Sequence, residues 1–378
     1  MKKRLMPILI SSLLLFSSIS CNTNNKMEKT VNLPEVTELK VNDSLPADEQ
    51  VKKTEFSLNL DKTSEYFLEN YFVFGSKDGK KYYTKRYCDE RTAMSNSGNE
   101  SELGYITVNS SKPVPLVNFK PKHRNIFCTN LEIFDNYLVW DEQNEDGIFV
   151  KKMNLSTNEV SDGFEKEFYS GQNRVGNELL FYESWKQEHP LKSFNPETNE
   201  IKTVAEKTHI INPYEQPLGL DNTLGYARLR NDGNAEIIYK SKSKSLTIPL
   251  KTDLVTDIVT SEKYIIWSQL ESKSYWSKGE VFCYDIEDHK LHSVKIDEGW
   301  VNATPVGDKY VLLSVIFENS RQVISWNLEE NQLSKVKEFS KDETLTSIYY
   351  DDGDGDNKAY IEYRDKNYIY SLEFSYSK

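Results

Sequence analysis

The sequence predicts an all-β fold, a β-propeller of seven four-stranded blades closed by a strand from the N-terminal end of the folded body. Three observations predict it. A short phrase recurs seven times at blade-sized intervals. A more apolar strand precedes each copy. The last copy lacks its final strand, and an unpaired alternating segment near the start of the body can supply it.

The phrase is an apolar residue, then Asn or Asp, then a polar turn, then another apolar residue. Clear copies run Met153 to Val160, Phe194 to Ile201, Tyr284 to Leu291 and Trp326 to Leu333, with degenerate copies at Val108-Asn109, Tyr239-Lys240 and Tyr370-Ser371. The second positions are 109, 154, 195, 240, 285, 327 and 371, so the steps are 41 to 45 residues. That period matches one propeller blade per repeat. Locally the phrase is a hairpin, because Asn, Asp, Ser and Thr reverse a chain by hydrogen-bonding their own backbone.

The preceding strands are Tyr71 to Phe74, Tyr137 to Trp140, Leu179 to Tyr182, Tyr264 to Trp267, Val311 to Leu313 and Ile348 to Tyr350, with a weaker fourth unit at Leu224 to Tyr226. They are apolar on both faces, as strands sandwiched between neighbouring sheets must be. Trp140, Trp267 and Trp326 fall in strands and are expected in the core. After Tyr370-Ser371-Leu372 only six residues remain, too few for a turn and an outer strand, whereas Glu55 to Leu60 alternates polar with apolar and has no nearby partner. Pairing those two ends seals the ring and removes an open sheet edge. A β-solenoid or a pair of sandwiches is the competing reading of the same spacing.

In period and pattern, residues 55–378 resemble bacterial propellers of the Tol-system type, the low-density-lipoprotein-receptor type and the propeller half of prolyl peptidases. The Tyr-Trp-Thr-Asp, Trp-Ser-Pro-Asp-Gly and Gly-His…Trp-Asp signatures are absent. The resemblance therefore implies architecture, and architecture does not carry function.

The first 21 residues are organised as an export leader. Lys2, Lys3 and Arg4 precede an apolar stretch from Leu5 to Phe16, and Ser17 to Ser20, small and polar apart from Ile19, lead to Cys21. The stretch is too short to span a bilayer. Ser20 followed by Cys21 resembles a bacterial lipoprotein signal, which implies lipidation at Cys21 and membrane attachment by a lipid anchor only, at the cell envelope. A plain cleaved leader is the alternative. The domains expected are a signal peptide at 1–20, a lipid-anchored solvated tether at 21–53, rich in Asn, Lys, Glu, Asp, Thr and Pro, and the propeller at 54–378.

A net charge of −12 repels phosphate backbones, which argues against nucleic acid as a partner. There is no Gly-x-Ser-x-Gly, no His-Glu-x-x-His and no glycine-rich phosphate loop, and no chain is left after the propeller for a hydrolase domain. His289 and His292 flank a turn and are expected in solvent. Cys88 and Cys128 either pair across the first two blades or, with Cys283, stay buried as free thiols. No cofactor is expected, with calcium as the exception. Asp352, Asp354 and Asp356 alternate as calcium ligands do, although Asn357 and Tyr360 stand where Gly and an oxygen ligand are usual; a solvated acidic tip is the other reading.

The connections between second and third strands, and from blade to blade, open on one face of a propeller. Long insertions at 88–103, 183–190, 269–279 and 351–358 are expected there, together with Trp185, Tyr275, Trp276 and Trp300. Exposed aromatics among polar loops suit a protein or glycan partner. The function expected is that of an envelope-tethered binding or scaffolding lipoprotein. The alternative is a polysaccharide-acting lyase or glycosidase, using carboxylates or a His from Asp141, Glu142, Glu183 and His189.

Overall fold

A computed structural model describes residues 29–59, 67–89, 101–107, 113–119, 127–144, 146–167, 170–183, 189–211, 223–274, 277–307, 309–317, 320–350, 358–365 and 368–376. They form seven sheets. From the axis outward, blade 1 holds Phe67–Lys77, Lys80–Asp89, Ser101–Thr107 and Val114–Phe119. Blade 2 holds Phe127–Ile133, Tyr137–Asn144, Gly147–Asn154 and Val160–Lys166, and blade 3 holds Gln172–Val175, Glu178–Tyr182, Leu191–Phe194 and Ile201–Ala205. Blade 4 has Leu224–Leu229, Ala235–Lys240 and Ser245–Pro249. Its innermost place is taken by a non-strand stretch whose His209 N–H donates to Ala227 O at 2.8 Å. Blade 5 holds Val255–Thr260, Tyr264–Leu270, Gly279–Asp285 and Lys290–Ile296. Blade 6 holds Glu298–Val306, Tyr310–Phe317, Ser320–Asn327 and Gln332–Glu338. Blade 7 has Thr344–Tyr350, Lys358–Arg364 and Tyr368–Tyr376, and its outer strand is Glu49–Asn59. The protein is thus a seven-bladed β-propeller, as the repeat predicts.

The recurring phrase works through its polar residues. The Asn154, Asn195, Asp285 and Asn327 side chains each accept two backbone N–H bonds from the following turn. Four residues on, Asn158, Asn199, His289 and Asn331 adopt φ of 59°, 60°, 55° and 54°. Asn tolerates this left-handed conformation best among residues with a side chain, which is why the phrase so often carries a second Asn.

The core is a set of layers between blades. Seven apolar clusters each join two neighbours and so run round the ring. Trp140 packs between blades 1 and 2, Trp267 between 4 and 5, and Trp326 between 5 and 6, all fully buried. Side chains stitch neighbouring inner strands at the axis. Ser347 donates to Val73 O at 2.7 Å, Arg174 Nη1 to Ile133 O at 2.7 Å, and Gln172 Nε2 to Asn130 O at 2.6 Å.

Closure occurs where expected but is more extensive. The strand Glu49–Asn59 is antiparallel to Tyr368–Tyr376 and begins before Glu55. A buried ion pair joins the first blade to the last, Lys81 Nζ to Glu362 Oε1 at 2.8 Å. Tyr349 and Ser371 hydroxyls also donate to that oxygen, at 2.6 and 2.9 Å.

From Lys29 onward, the segment expected as a solvated tether is instead a belt on the propeller rim. Lys29–Thr30, Val36–Glu38 and Val41–Asn42 add in parallel to the outer strands of blades 4, 5 and 6 before the chain enters blade 7. Outer strands twist far from the axis direction, so a strand laid along one heads toward the next blade. Val31 is part of one blade-to-blade core, and Leu33, Leu39 and Val41 pack against two of them. These apolar residues sit in very short stretches broken by Pro34, too short for a period to be legible. The belt also buries His292, which was expected in solvent.

The belt explains a contrast within the repeat. The apolar residue opening the outer strand is 48% and 42% exposed in blades 2 and 3 (Val160, Ile201), but 7%, 2% and 0% exposed under the belt (Leu246, Leu291, Leu333). Among the described residues no strand covers the outer strands of blades 1, 2 and 3, and each meets the third strand through an irregular register, at Leu103/Gly104, Val150/Lys151 and Leu191/Lys192, as the covered one of blade 6 also does at Val323/Ile324. Bulges blunt an open edge against unwanted strand addition.

Candidate functional site

In an antiparallel four-stranded blade, the second-to-third connection opens on one end of the ring, and the first-to-second and third-to-outer turns on the other. The loops 183–190 of blade 3 and 271–278 of blade 5 are second-to-third connections, and so is 90–100 of blade 1. The expectation for 351–358 is corrected. Thr344–Tyr350 and Lys358–Arg364 are the first and second strands of blade 7, so that loop opens on the opposite face. Inner and second strands are both apolar on both sides, and Ile348 to Tyr350 was matched to the wrong one.

The loop face is best defined at blades 3 to 5. The loop of blade 3 is pinned where Thr208 N–H donates to His189 O at 3.2 Å, with the Thr208 hydroxyl donating to the same oxygen. The next residue, His209, bonds Asp253 O through Nε2 at 2.7 Å. Asp253 in turn faces Lys273 of the blade 5 loop at 3.5 Å. The base of that loop is closed by Glu271 N–H to Lys278 O at 2.9 Å. Between them, blade 4 makes only a tight turn, Arg230 N–H to Asn234 O at 2.8 Å, with Gly233 at φ 81°. A shallow position therefore lies between two longer loops, and Leu229 at its edge is 52% exposed.

Trp185, Tyr275 and Trp276 belong to these two loops but lie outside the described residues, as do Cys21, Asp352, Asp354 and Asp356. Trp300 falls near the start of the inner strand Glu298–Val306, at the same end of the ring, with its side chain outside the description. Cys88 lies on the second strand of blade 1 and Cys128 on the inner strand of blade 2; neither side chain is described. Cys283 is free and buried.

Of the residues considered for acid–base chemistry, Asp141 and Glu183 are held in ion pairs, and His189 contributes its backbone oxygen to Thr208. Asp141 is fully buried and paired with Lys166 at 2.9 Å, with Asn130 Nδ2 donating at 2.9 Å to the same oxygen. Burial pushes the Asp141 carboxyl up and the Lys166 amine down, while their mutual attraction opposes both shifts. Glu183 is paired with Lys192. Glu142 is half-buried, and burial raises its pKa against the attraction of Lys151.

Two carboxylates that the sequence reading passed over are also perturbed. Burial pushes Glu132 up to about 8 and Asp257 up to about 7. Each sits on an inner strand and accepts a backbone N–H from the next blade, Arg174 for Glu132 and Val301 for Asp257. Their signal was an acid in the middle of an inner strand, Leu131-Glu132-Ile133 and Thr256-Asp257-Ile258. Among the described residues, no three His, Cys, Asp or Glu side chains gather as a metal site would require.

No family model matches the chain, and no curated protein matches it significantly. Solved structures do. The β-propeller domain of the Trilobed protease from Pyrococcus furiosus, described as having an open velcro topology, aligns with a TM-score of 0.55 at 10% identity, over 82% of this chain and 94% of that one. An acylaminoacyl peptidase from Pyrococcus horikoshii aligns with a TM-score of 0.52 at 9% identity, over 80% of this chain. A prolyl endopeptidase gives 0.53 at 10% identity, over 83%. The chain spans about half the length of those two peptidases, 51% of each. At such identities the likeness is one of fold: the chain is similar to the propeller portions of these peptidases.

Proposed function

We propose that the protein is a binding or scaffolding lipoprotein of the cell envelope that presents the loop face of blades 3 to 5 to a protein or glycan. One observation carries this reading. The loops bearing Trp185 and Tyr275-Trp276 flank the tight turn of blade 4 on one face, and Leu229 stands exposed between them. Aromatic and apolar anchors in a polar surround are the usual energetic centre of an interface. The buried pairing of Asp141 with Lys166 favours binding over hydrolysis at that carboxylate.

The test is site-specific photo-crosslinking in the envelope. A crosslinker at Lys273 should give a discrete adduct that disappears on Trp185→Ala with Trp276→Ala, while one at Asp135, on the opposite face, should give none. Equal adducts from both faces, or an adduct insensitive to the tryptophans, would reject the assignment.

A further inference from the structure

The belt begins at a basic corner of an acidic protein. Four third-to-outer turns carry acids: Glu159 in blade 2, Glu197 and Glu200 in blade 3, Glu287 and Asp288 in blade 5, and Glu329 and Glu330 in blade 6. The blade 4 turn is Lys240-Ser241-Lys242-Ser243-Lys244, with no acid. Lys29 pairs with Leu246, two residues past that turn, and runs parallel to the outer strand. Lys29 is therefore the end of the belt nearest that turn. Lys29 and Lys242 are exposed, and Lys240 lies over the Tyr226 ring at 5.6 Å. The charge of Glu262, in the neighbouring first-to-second turn of blade 5, reaches Tyr239 at the base of this corner, and Lys263 follows it directly.

We propose that Lys29, Lys240, Lys242 and Lys244 rest on anionic headgroups of the membrane that holds the chain, so that the loop face of blades 3 to 5 points away from the bilayer. This rests on lipidation at Cys21. The belt makes the geometry restrictive. A tether running to residue 53 would let the body tumble freely. With the rim engaged from Lys29, only eight steps separate it from Cys21, at most roughly 29 Å at about 3.6 Å each. A lysine close to an anionic surface gains roughly fivefold in local affinity, within a screening length of about 8 Å. The full chain carries a net charge of −12, so the surface away from this corner is repelled by the same headgroups. The start of the belt at Lys29 and the basic corner coincide in space, and the third-to-outer turns face away from the second-to-third loops. The start of the belt and the proposed binding face thus lie at opposite ends of the ring.

The experiment uses the purified full chain with its lipid, in vesicles of phosphatidylcholine with or without phosphatidylglycerol. A photo-crosslinker replaces Ser243 in the basic turn or Asn231 in the loop-face turn of blade 4. Lipid adducts are expected from position 243 and not from 231. They should require phosphatidylglycerol and fall at least tenfold with Lys240→Glu, Lys242→Glu and Lys244→Glu together. Equal adducts from both positions, or adducts indifferent to phosphatidylglycerol or to charge reversal, overturn the orientation. The Cys21→Ser chain separates this failure from failure of the anchor. Its release from phosphatidylcholine vesicles supports the lipid; its retention removes the anchor and the proposal with it.

Discussion

The buried pair that bolts blade 1 to blade 7 yields a sharp prediction. Lys81 and Glu362 are 1% and 0% exposed and 281 residues apart in sequence. Lys81→Met takes away the cation and leaves Glu362 Oε1, among the described residues, with the Tyr349 and Ser371 hydroxyls, at 2.6 and 2.9 Å. Breaking a buried ion pair from one side costs about 3–5 kcal/mol, because the remaining charge stays desolvated. Two retained hydroxyl donors return part of that loss, so we predict about 3 kcal/mol for Lys81→Met. Glu362→Leu alone removes the counter-charge of the Lys81 ammonium, which keeps the Ser371 hydroxyl at 2.6 Å and the Tyr360 ring at 4.3 Å, and should cost about as much. Lys81→Met with Glu362→Leu removes both charges and should cost clearly less than the sum of the singles. The assay is chemical unfolding at neutral pH, followed by tryptophan fluorescence. Single-variant losses below about 1 kcal/mol, or strict additivity in the double variant, would refute the reasoning.

Three further outcomes follow from the same geometry. Asp257 is pushed up to about 7 and Glu132 up to about 8, so the folded chain holds protons that the unfolded chain releases near pH 4. Stability should therefore fall as pH rises between about 4 and 8, and Asp257→Asn should flatten its share of that slope in pH-dependent unfolding. Asn327 and Asn154 make the same turn, but Asn327 is buried and also donates to Tyr310 OH at 3.0 Å. Asn154→Ala should cost about 1 kcal/mol and Asn327→Ala about 2–3 kcal/mol by the same unfolding assay. A Cβ at Gly104 would stand 2.5 Å from Val114 O, a backbone atom that cannot swing aside, so Gly104→Ala should destabilise blade 1 by at least ~1 kcal/mol.

Much of the ring was legible because one turn type is repeated with its chemistry intact. Asn154, Asn195, Asp285 and Asn327 each cap a turn, so their spacing reported the blade period directly. The closing strand was legible from Glu55 to Leu60, since an alternating segment with no local partner must pair at a distance. Two features were hidden for physical reasons. The belt relies on Val31, Leu33, Leu39 and Val41, pairs of apolar residues in contacts of two or three residues each, below the length at which periodicity separates strand from coil. The loop-face assignment of 351–358 failed because Tyr349 and Tyr360, on the inner and second strands of blade 7, pack in one cluster and look alike in sequence. Asp141 was considered for catalysis because it follows an apolar strand. Its partner Lys166 comes from the outer strand of the same blade, and no local pattern announces that pairing.

The claim on which both the closure of the ring and the proposed orientation of its binding face depend is that the N-terminal run from Lys29 to Asn59 belongs to the ring. Amide hydrogen exchange resolved by residue measures this directly. Backbone amides at Val31, Leu39, Val51 and Leu58 should be protected along with those of the outer strands they pair with. Exchange of this run at the rate of free chain, with blades 4 to 7 still protected, would contradict the account.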